Sequence, residues 1–167
     1  MNDVNAHELA RDPAVRRLLL FAVDDDFGEL DDACLYALTS LKPLATSLVV
    51  IVDRRVSSAQ RERLGTLADH VLVRQDDRVT SDAYRLALTE AADDLAQFDE
   101  IVFSGNGWFG PLTSMDEVFE RMMRAEVDFW ELIRNDDRHP NDYGLEGFPI
   151  RHRPWIWTVA RRSLIES

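Results

Sequence analysis

Short apolar runs alternate along this chain with segments that carry apolar residues at helical spacing, and this alternation most limits what the chain can fold into. The clearest apolar runs are residues 18–23 and 48–52, and each is followed directly by an aspartate. Runs of this length are typical of strands buried on both faces, and strands that alternate with helices form mainly parallel sheets. We therefore predict an α/β fold, with a mainly parallel sheet flanked by helices on both faces.

The same patterns predict the individual elements. Strands are predicted at residues 18–23, 48–52, 70–74, 101–103, 128–133 and 156–160. Helices are predicted from Asp31 to Pro43, from Ser57 to about Ala68, from Tyr84 to Leu95 and from Met115 to Ala125. The stretch between Asn135 and Pro154 is irregular and rich in Pro and Gly, as functional loops often are. We predict a loosely ordered segment over residues 1–16 and a single domain over residues 17–167.

Charge and composition exclude several classes of partner. The 167 residues include 31 acidic and 19 basic side chains, a formal net charge of −12. Nucleic acids and anionic membranes bind clustered positive charge, so neither is a predicted partner. The apolar runs are shorter than the roughly 20 residues of a membrane span. The polar N-terminus does not resemble a signal peptide, and the single cysteine, Cys34, is predicted to be a buried thiol. These features predict a cytoplasmic protein without a membrane span.

Acidic residues follow the first two predicted strands. Residues 24–26 are all aspartates, and Asp53 ends the second strand. The pattern resembles the pocket of a phospho-accepting receiver domain, but the acceptor there follows the third strand, and the only lysine here is Lys42. Alternatively, these aspartates solvate a strand end, while Asp31 and Asp32 complement a helix N-terminus. The chain has no phosphate loop, dinucleotide fingerprint, GxSxG elbow or zinc motif.

Glycine and tryptophan are concentrated in the second half of the chain. Five of the seven glycines and all four tryptophans lie at or after Gly105. Ligands of parallel α/β sheets bind outside the carboxyl ends of the strands, where loops need glycine for close backbone approach. The second half is therefore predicted to hold the substrate. His152, just before the last predicted strand, is the one histidine that we place near a site.

One segment, residues 97–133, has a specific layout. A strand leads into a polar loop with two glycines around Asn106, and an aromatic pair, Gly-Pro, a helix and a second strand follow. The segment resembles the rhamnan synthesis protein F family of bacterial polysaccharide glycosyltransferases. The residues in register with the family pattern are Asp99-Glu100, Phe109-Gly110-Pro111-Leu112, Glu117-Val118-Phe119, Met122 and Asp128-Phe129-Trp130. Weaker similarity extends over residues 17–167.

The resemblance implies a GT-A-like fold that binds a nucleotide sugar and transfers the sugar, for example the deoxyhexose rhamnose, to a glycan acceptor. Such sites often hold a divalent cation, Mg²⁺ or Mn²⁺, at the leaving diphosphate, and a base at the acceptor hydroxyl. The donor-binding residues implied are Asp25, Asp53, Thr80, Asp82, Asn106 and Trp108. The metal ligands implied are Asn106 and His152, and the candidate bases are Asp128 and Glu131. Trp108 is either a ring that stacks on the sugar or a packing lid.

The chain departs from the family pattern at this implied site. Asn106 and Thr80 stand where the family carries aspartates, and Glu131 stands where it carries a glycine. Asp82, two residues after Thr80, is a candidate substitute, although two residues turn a helical side chain by roughly 200°. Two expected carboxylates are therefore absent together. The alternative function is a catalytically impaired relative that acts as a sugar- or protein-binding module.

Overall fold

The computed structural model describes residues 15–23, 30–75, 80–132 and 157–165. The strands are β1 (Arg17–Val23), β2 (Ser47–Asp53), β3 (His70–Arg74), β4 (Glu100–Gly105), β5 (Phe129–Glu131) and β6 (Trp157–Arg161). The helices are α1 (Asp32–Leu41), α2 (Ser58–Gly65), α3 (Thr80–Glu90), α4 (Asp116–Met123) and α5 (Arg162–Ile165). Two 3₁₀ helices cover Lys42–Leu44 and Ala92–Gln97.

The six strands form one sheet in the order β3-β2-β1-β4-β6-β5. The first four strands of that order pair in parallel, whereas β6 is antiparallel to both of its neighbours. The predicted α/β class is confirmed. In place of a mainly parallel sheet, however, the structure has a mixed sheet with three parallel and two antiparallel pairings.

Helices cover both faces of the sheet and form two cores. Successive residues of β1 point to opposite faces and therefore enter different cores. Leu19 and Phe21 belong to a core formed with the buried sides of α1, α2 and α4. Leu18 and Leu20 belong to a second core formed with α3. Cys34 is buried in the first core, as predicted. None of the helices in the described ranges has the length and hydrophobicity needed to cross a membrane.

The helix ends follow from local sequence signals. Asp31 caps α1, since its carboxylate accepts a hydrogen bond from the backbone N of Cys34 at 2.7 Å,. Ser57 caps α2 in the same way through the backbone N of Gln60 at 3.3 Å. The second helix ends at Gly65 rather than at the predicted Ala68, because glycine is a poor helix former,. Of the predicted loose segment, only residues 15 and 16 are described.

A buried ionic network joins the amino ends of β1 and β4 to β6. The guanidinium of Arg17 donates from Nε to Glu100 Oε2 at 2.7 Å, and Arg161 Nε donates to Glu100 Oε1 at 3.4 Å. Arg161 also donates to the carbonyl of Met122, in the last turn of α4. It donates further to the carbonyls of Ala125 (2.7 Å) and Val127 (2.9 Å), which follow that helix. Glu100 therefore holds two arginines that fix the positions of three strands and one helix end.

The carboxyl ends of β1 and β4 approach each other very closely. Ala22 pairs with Gly105, and a Cβ added to Gly105 would lie 2.5 Å from the carbonyl oxygen of Ala22. That oxygen also accepts a hydrogen bond from the backbone N of Asn106 at 3.2 Å. Only glycine fits at position 105 without a backbone shift.

We expect Gly105→Ala to lower the free energy of unfolding by about 1–3 kcal/mol, the usual cost of forcing an extra methyl group into a packed site. Gly107→Ala is the matched control, because a Cβ there meets nothing within 4 Å. Urea unfolding followed by circular dichroism measures both. Equal stability of the two variants would show that the contact at Gly105 relaxes freely.

We expect Glu100→Gln to lower the free energy of unfolding by about 3 kcal/mol, because the substitution leaves Arg17 with a neutral partner inside the protein. Arg17 and Glu100 have side-chain exposures of only 2% and 6%. Glu62→Gln, at an exposed position of α2, serves as the control. A Glu100→Gln protein as stable as this control would mean that the network contributes nothing to folding.

Candidate functional site

The site begins where the order of the strands reverses. From β1 the chain moves outward to β2 and β3, and it then returns to the other side of β1 as β4. In open α/β sheets, ligands bind at this switch point, outside the carboxyl ends of the strands. Asn106 is the first residue after β4, and its backbone N bonds Ala22 of β1 at 3.2 Å. The predicted site residue Asn106 therefore lies at the switch point.

The start of the loop after β4 is held by two side chains. Tyr84 of α3 donates its hydroxyl to the carbonyl of Ser104 at 2.7 Å, and Trp108 Nε1 donates to the Ser104 hydroxyl at 3.3 Å. Burial raises the pKa of Tyr84 well above its usual range, so the hydroxyl stays protonated and acts as a donor,. These bonds fix the backbone on the amino side of Asn106.

Trp108 is half-buried and packs at one end of an aromatic row. Its ring meets Trp157 edge-on at 5.7 Å between centroids, Trp157 lies 6.1 Å from Phe119, and Phe119 lies 5.3 Å from Trp130. A Cβ on Gly110 would lie 2.3 Å from the Trp108 ring, so the glycine backbone rests against the indole. The predicted contact of Trp108 with a sugar stays a prediction.

Asp53 lies at the end of β2 with no exposed surface. Its carboxylate accepts from the backbone N of Arg55 at 2.8 Å and from Arg55 Nε at 2.9 Å, and Arg74 Nη2 lies 3.8 Å away. The Arg55 side-chain hydrogen bond, helped by Arg74, keeps the pKa of Asp53 below its usual value despite burial,. The Arg55 side chain is 41% exposed. A contribution of Asp53 to ligand binding would therefore run through the arginine that it orients.

The predicted segment from Thr80 to Asp82 forms the first turn of α3. Asp82 lies 3.3 Å from Arg85 Nε, and its side chain is 26% exposed. Tyr84, in the next turn, bonds the end of β4. The structure therefore brings the first turn of α3 to the same edge of the sheet as Asn106.

The two candidate bases lie at different ends of the sheet. The carbonyl of Asp128 accepts from the backbone N of Arg161, which pairs with Glu100. That position is about 17 Å along the strand direction from Gly105, at 3.3 Å per residue. The Asp128 carboxylate accepts from the Ser163 hydroxyl at 2.7 Å.

Glu131 lies closer to the switch point. It pairs with Thr158, which in turn pairs with Phe103, two residues before Gly105. The offset from Gly105 is about 7 Å along the strands and about 10 Å across two strand spacings. Its carboxylate accepts from the Thr158 hydroxyl at 3.4 Å. Glu131 is therefore the better placed of the two predicted bases.

Two predicted site residues, Asp25 and His152, lie outside the described residues. Within the described ranges, no three His, Cys, Asp or Glu side chains come together as a group that could hold a metal ion. The predicted Mg²⁺ or Mn²⁺ site and the ligand roles of Asn106 and His152 stay predictions.

Three site residues were missed by sequence reasoning. Arg55 lies two residues after the end of β2, and Arg74 ends β3. Tyr84 was predicted as part of a helix, without a role in the site. The Arg54-Arg55 pair directly after a buried strand was the available signal, since it is a local positive charge in a chain with a net charge of −12. Nothing in the local pattern indicates that Tyr84 reaches Ser104, twenty residues away.

The fold is an α/β domain whose sheet has its switch point between β1 and β4, and Asn106 lies there. The sequence profile of the rhamnan synthesis protein F family matches residues 48–167, and the chain belongs to this family. Membership implies involvement in rhamnan polysaccharide synthesis. No curated protein matches the chain. The family match begins inside β2, yet β1 lies between β2 and β4, so the matched strands complete their sheet only with β1.

We expect Asp53→Asn to lower the free energy of unfolding by about 1–3 kcal/mol at pH 7, because the charged acceptor of Arg55 is lost. The folded-state pKa of Asp53 is lowered, so its contribution is complete above the unfolded pKa of about 3.9 and is lost as pH falls through the folded value,. As the pH falls from 7 towards 3, denaturant unfolding should therefore show a shrinking difference in the free energy of unfolding between wild type and variant. The exposed Asp93→Asn is the control, and a pH-independent difference would contradict the assignment.

Proposed function

We propose that this domain binds a nucleotide diphosphate sugar at the switch-point crevice, in a GT-A-like fold, and transfers the sugar to a growing rhamnan-type glycan. The donor sugar would be a deoxyhexose such as rhamnose. The observation that carries the proposal is the position of Asn106 at the switch point, just beyond the paired carboxyl ends of β1 and β4, in a chain of the rhamnan synthesis protein F family,.

The charges near the crevice support a donor with a diphosphate. Arg55 and Arg74 lie at the carboxyl ends of β2 and β3 beside a single buried carboxylate. Arginine matches the geometry of phosphate oxygens and keeps its charge at every relevant pH. The exposed guanidinium of Arg55 is the group that we assign to the diphosphate.

The proposed transfer needs few groups from the protein. The acceptor hydroxyl oxygen attacks the anomeric carbon, the bond from that carbon to the diphosphate oxygen breaks, and the diphosphate leaves with the electron pair. The acceptor proton passes to a carboxylate, for which Glu131 is the candidate nearer the crevice,. Asn106 supplies an amide that can bond the diphosphate or the sugar, and Trp108 limits the sugar pocket.

The neutral amide of Asn106 favours a second function, binding without sugar transfer. Asn106 is neutral where the family carries a carboxylate, and Thr80 is neutral at a second such position. A domain with these changes could bind the donor or a glycan without transferring the sugar. The proposed cytoplasmic location fits either function and agrees with the lone buried thiol of Cys34,.

The first experiment measures melting temperature and calorimetric binding with a panel of nucleotide diphosphates and nucleotide sugars, with and without Mn²⁺. A ligand at 100 times its Kd stabilises by about 2.7 kcal/mol, which raises Tm by about 5–10 °C for a domain of this size. Arg55→Lys should weaken binding of the preferred nucleotide by about tenfold, since Lys keeps the charge but loses the planar fork.

Arg63→Lys, at an exposed position of α2, is the matched control and should bind as the wild type does. Release of nucleotide diphosphate in the presence of a rhamnose oligosaccharide would support transfer. Nucleotide binding without that release would favour the binding module. A panel without any binding nucleotide would overturn the proposal.

A further inference from the structure

A groove beside α1 is another place where the described residues could hold a ligand. It runs between α1 and the segment 111–116 and has a volume of about 270 Å³. That is just below the roughly 300 Å³ at which small-molecule pockets begin, so the groove suits a ligand of one or two rings. Its walls include Tyr36, Ser40, Leu112, Thr113, Ser114 and Asp116. None of the predicted donor-site residues lines the groove.

The aromatic wall of the groove is held in one orientation. Tyr36 on α1 is 56% exposed, and its hydroxyl donates to the carbonyl of Pro111 at 3.0 Å. The bond joins the two walls of the groove and leaves the ring accessible to solvent. An ordered, exposed aromatic ring offers an apolar surface without the entropy cost of ordering it on binding.

The remaining walls carry hydroxyl groups and one carboxylate. Ser40, Thr113 and Ser114 line the groove, and Asp116 is 5% exposed at the first turn of α4. The Ser114 hydroxyl donates to Asp116 Oδ2 at 2.6 Å and accepts from the backbone N of Asp116 at 3.2 Å. The groove therefore presents oriented hydrogen-bonding groups beside an apolar ring.

The charge of the groove disfavours an anionic ligand. No Lys or Arg is among its lining residues, and its one ionisable group besides Tyr36 is an aspartate. A nucleotide or a phosphate would meet repulsion there, whereas a neutral polyol loses no favourable charge interaction. Leu112, 89% exposed at the wall, adds an apolar surface that suits the methyl group of a deoxyhexose,.

We propose that this groove is a binding subsite for a neutral deoxyhexose glycan, on the face of the sheet that carries α1 and α4. The inference rests on the proposed function, since that function supplies the reason for a glycan to bind here. The C–H face of a sugar ring packs on Tyr36, its hydroxyl groups bond Thr113, Ser114 and Asp116, and its methyl group contacts Leu112.

The test is a ¹H–¹⁵N NMR titration of the full chain with a short α-linked rhamnose oligosaccharide, in the absence of nucleotide. Saturable shifts should fall on the amides of α1 and the segment 111–116. Tyr36→Ala should weaken binding by about tenfold. Thr113→Val, which keeps the size of an exposed side chain, should weaken binding by about threefold.

Phe109→Ala is the matched control, because Phe109 is an 82% exposed ring of the same loop that does not line the groove. It should bind as the wild type does. Unchanged affinity in Tyr36→Ala, shifts confined to other parts of the chain, or an absence of saturation would overturn the subsite. So would shifts of the same amides by methylguanidinium but not by the oligosaccharide, which would make the groove a cation site.

The two proposals fail separately. Nucleotide binding without oligosaccharide binding would overturn the groove and leave the donor site standing. Oligosaccharide binding at the groove without any nucleotide binding would overturn sugar transfer and leave a glycan-binding module.

Discussion

Every residue of β1 is buried, and the rest of the sheet is arranged around that strand. Such a strand has neighbours at both edges and helices on both faces, so each of its residues is removed from water. Apolar residues meet this condition at little cost, but Arg17 does not, because a buried charge needs a partner. Glu100 supplies it from the adjacent strand, and the guanidinium of Arg17 also lies 4.6 Å from the centre of the Phe119 ring. The charge is thus kept inside by contacts from β4 and α4.

The two ends of β4 are therefore held by different interactions. At its amino end, Glu100 joins two arginines and holds the strand against β1 and β6. At its carboxyl end, Gly105 allows the backbone to approach Ala22, and Tyr84 bonds Ser104 from α3. A strand anchored at both ends holds the backbone of Asn106 in one position at the carboxyl edge of the sheet. Such preorganisation is what a binding site needs, since order present before binding does not have to be created by the ligand.

Local patterns predict most of the elements because each element is decided by residues close in sequence. The apolar run of β1, the cap at Asp31 and the start of α2 at Ser57 all follow from such signals. The ionic network does not, since Arg17 and Glu100 are 83 residues apart and no periodicity relates them. Likewise, the position of Asp53 was predicted, but its arginine partners were not. Side-chain contacts between distant segments depend on register, which the sequence does not display.

The antiparallel direction of β6 was also not predicted, although the sequence between β5 and β6 contained a signal for it. Alternation of strands and helices favours parallel pairing, because parallel neighbours need a crossover that is usually a helix. The sequence between β5 and β6 has no helical pattern and is rich in Pro and Gly. Antiparallel neighbours need no crossover helix, and β5 and β6 are indeed antiparallel. The missing helical pattern was therefore the better guide than the alternation before it.

The distribution of charge gives the molecule two surfaces of different chemistry. In a chain with a net charge of −12, exposed Arg55 beside the buried Asp53–Arg74 pair is a local exception at the carboxyl edge of the sheet. The groove between α1 and the segment 111–116 has no basic residue and one carboxylate. An anionic ligand would be repelled at the groove, where a neutral glycan would meet no charge penalty.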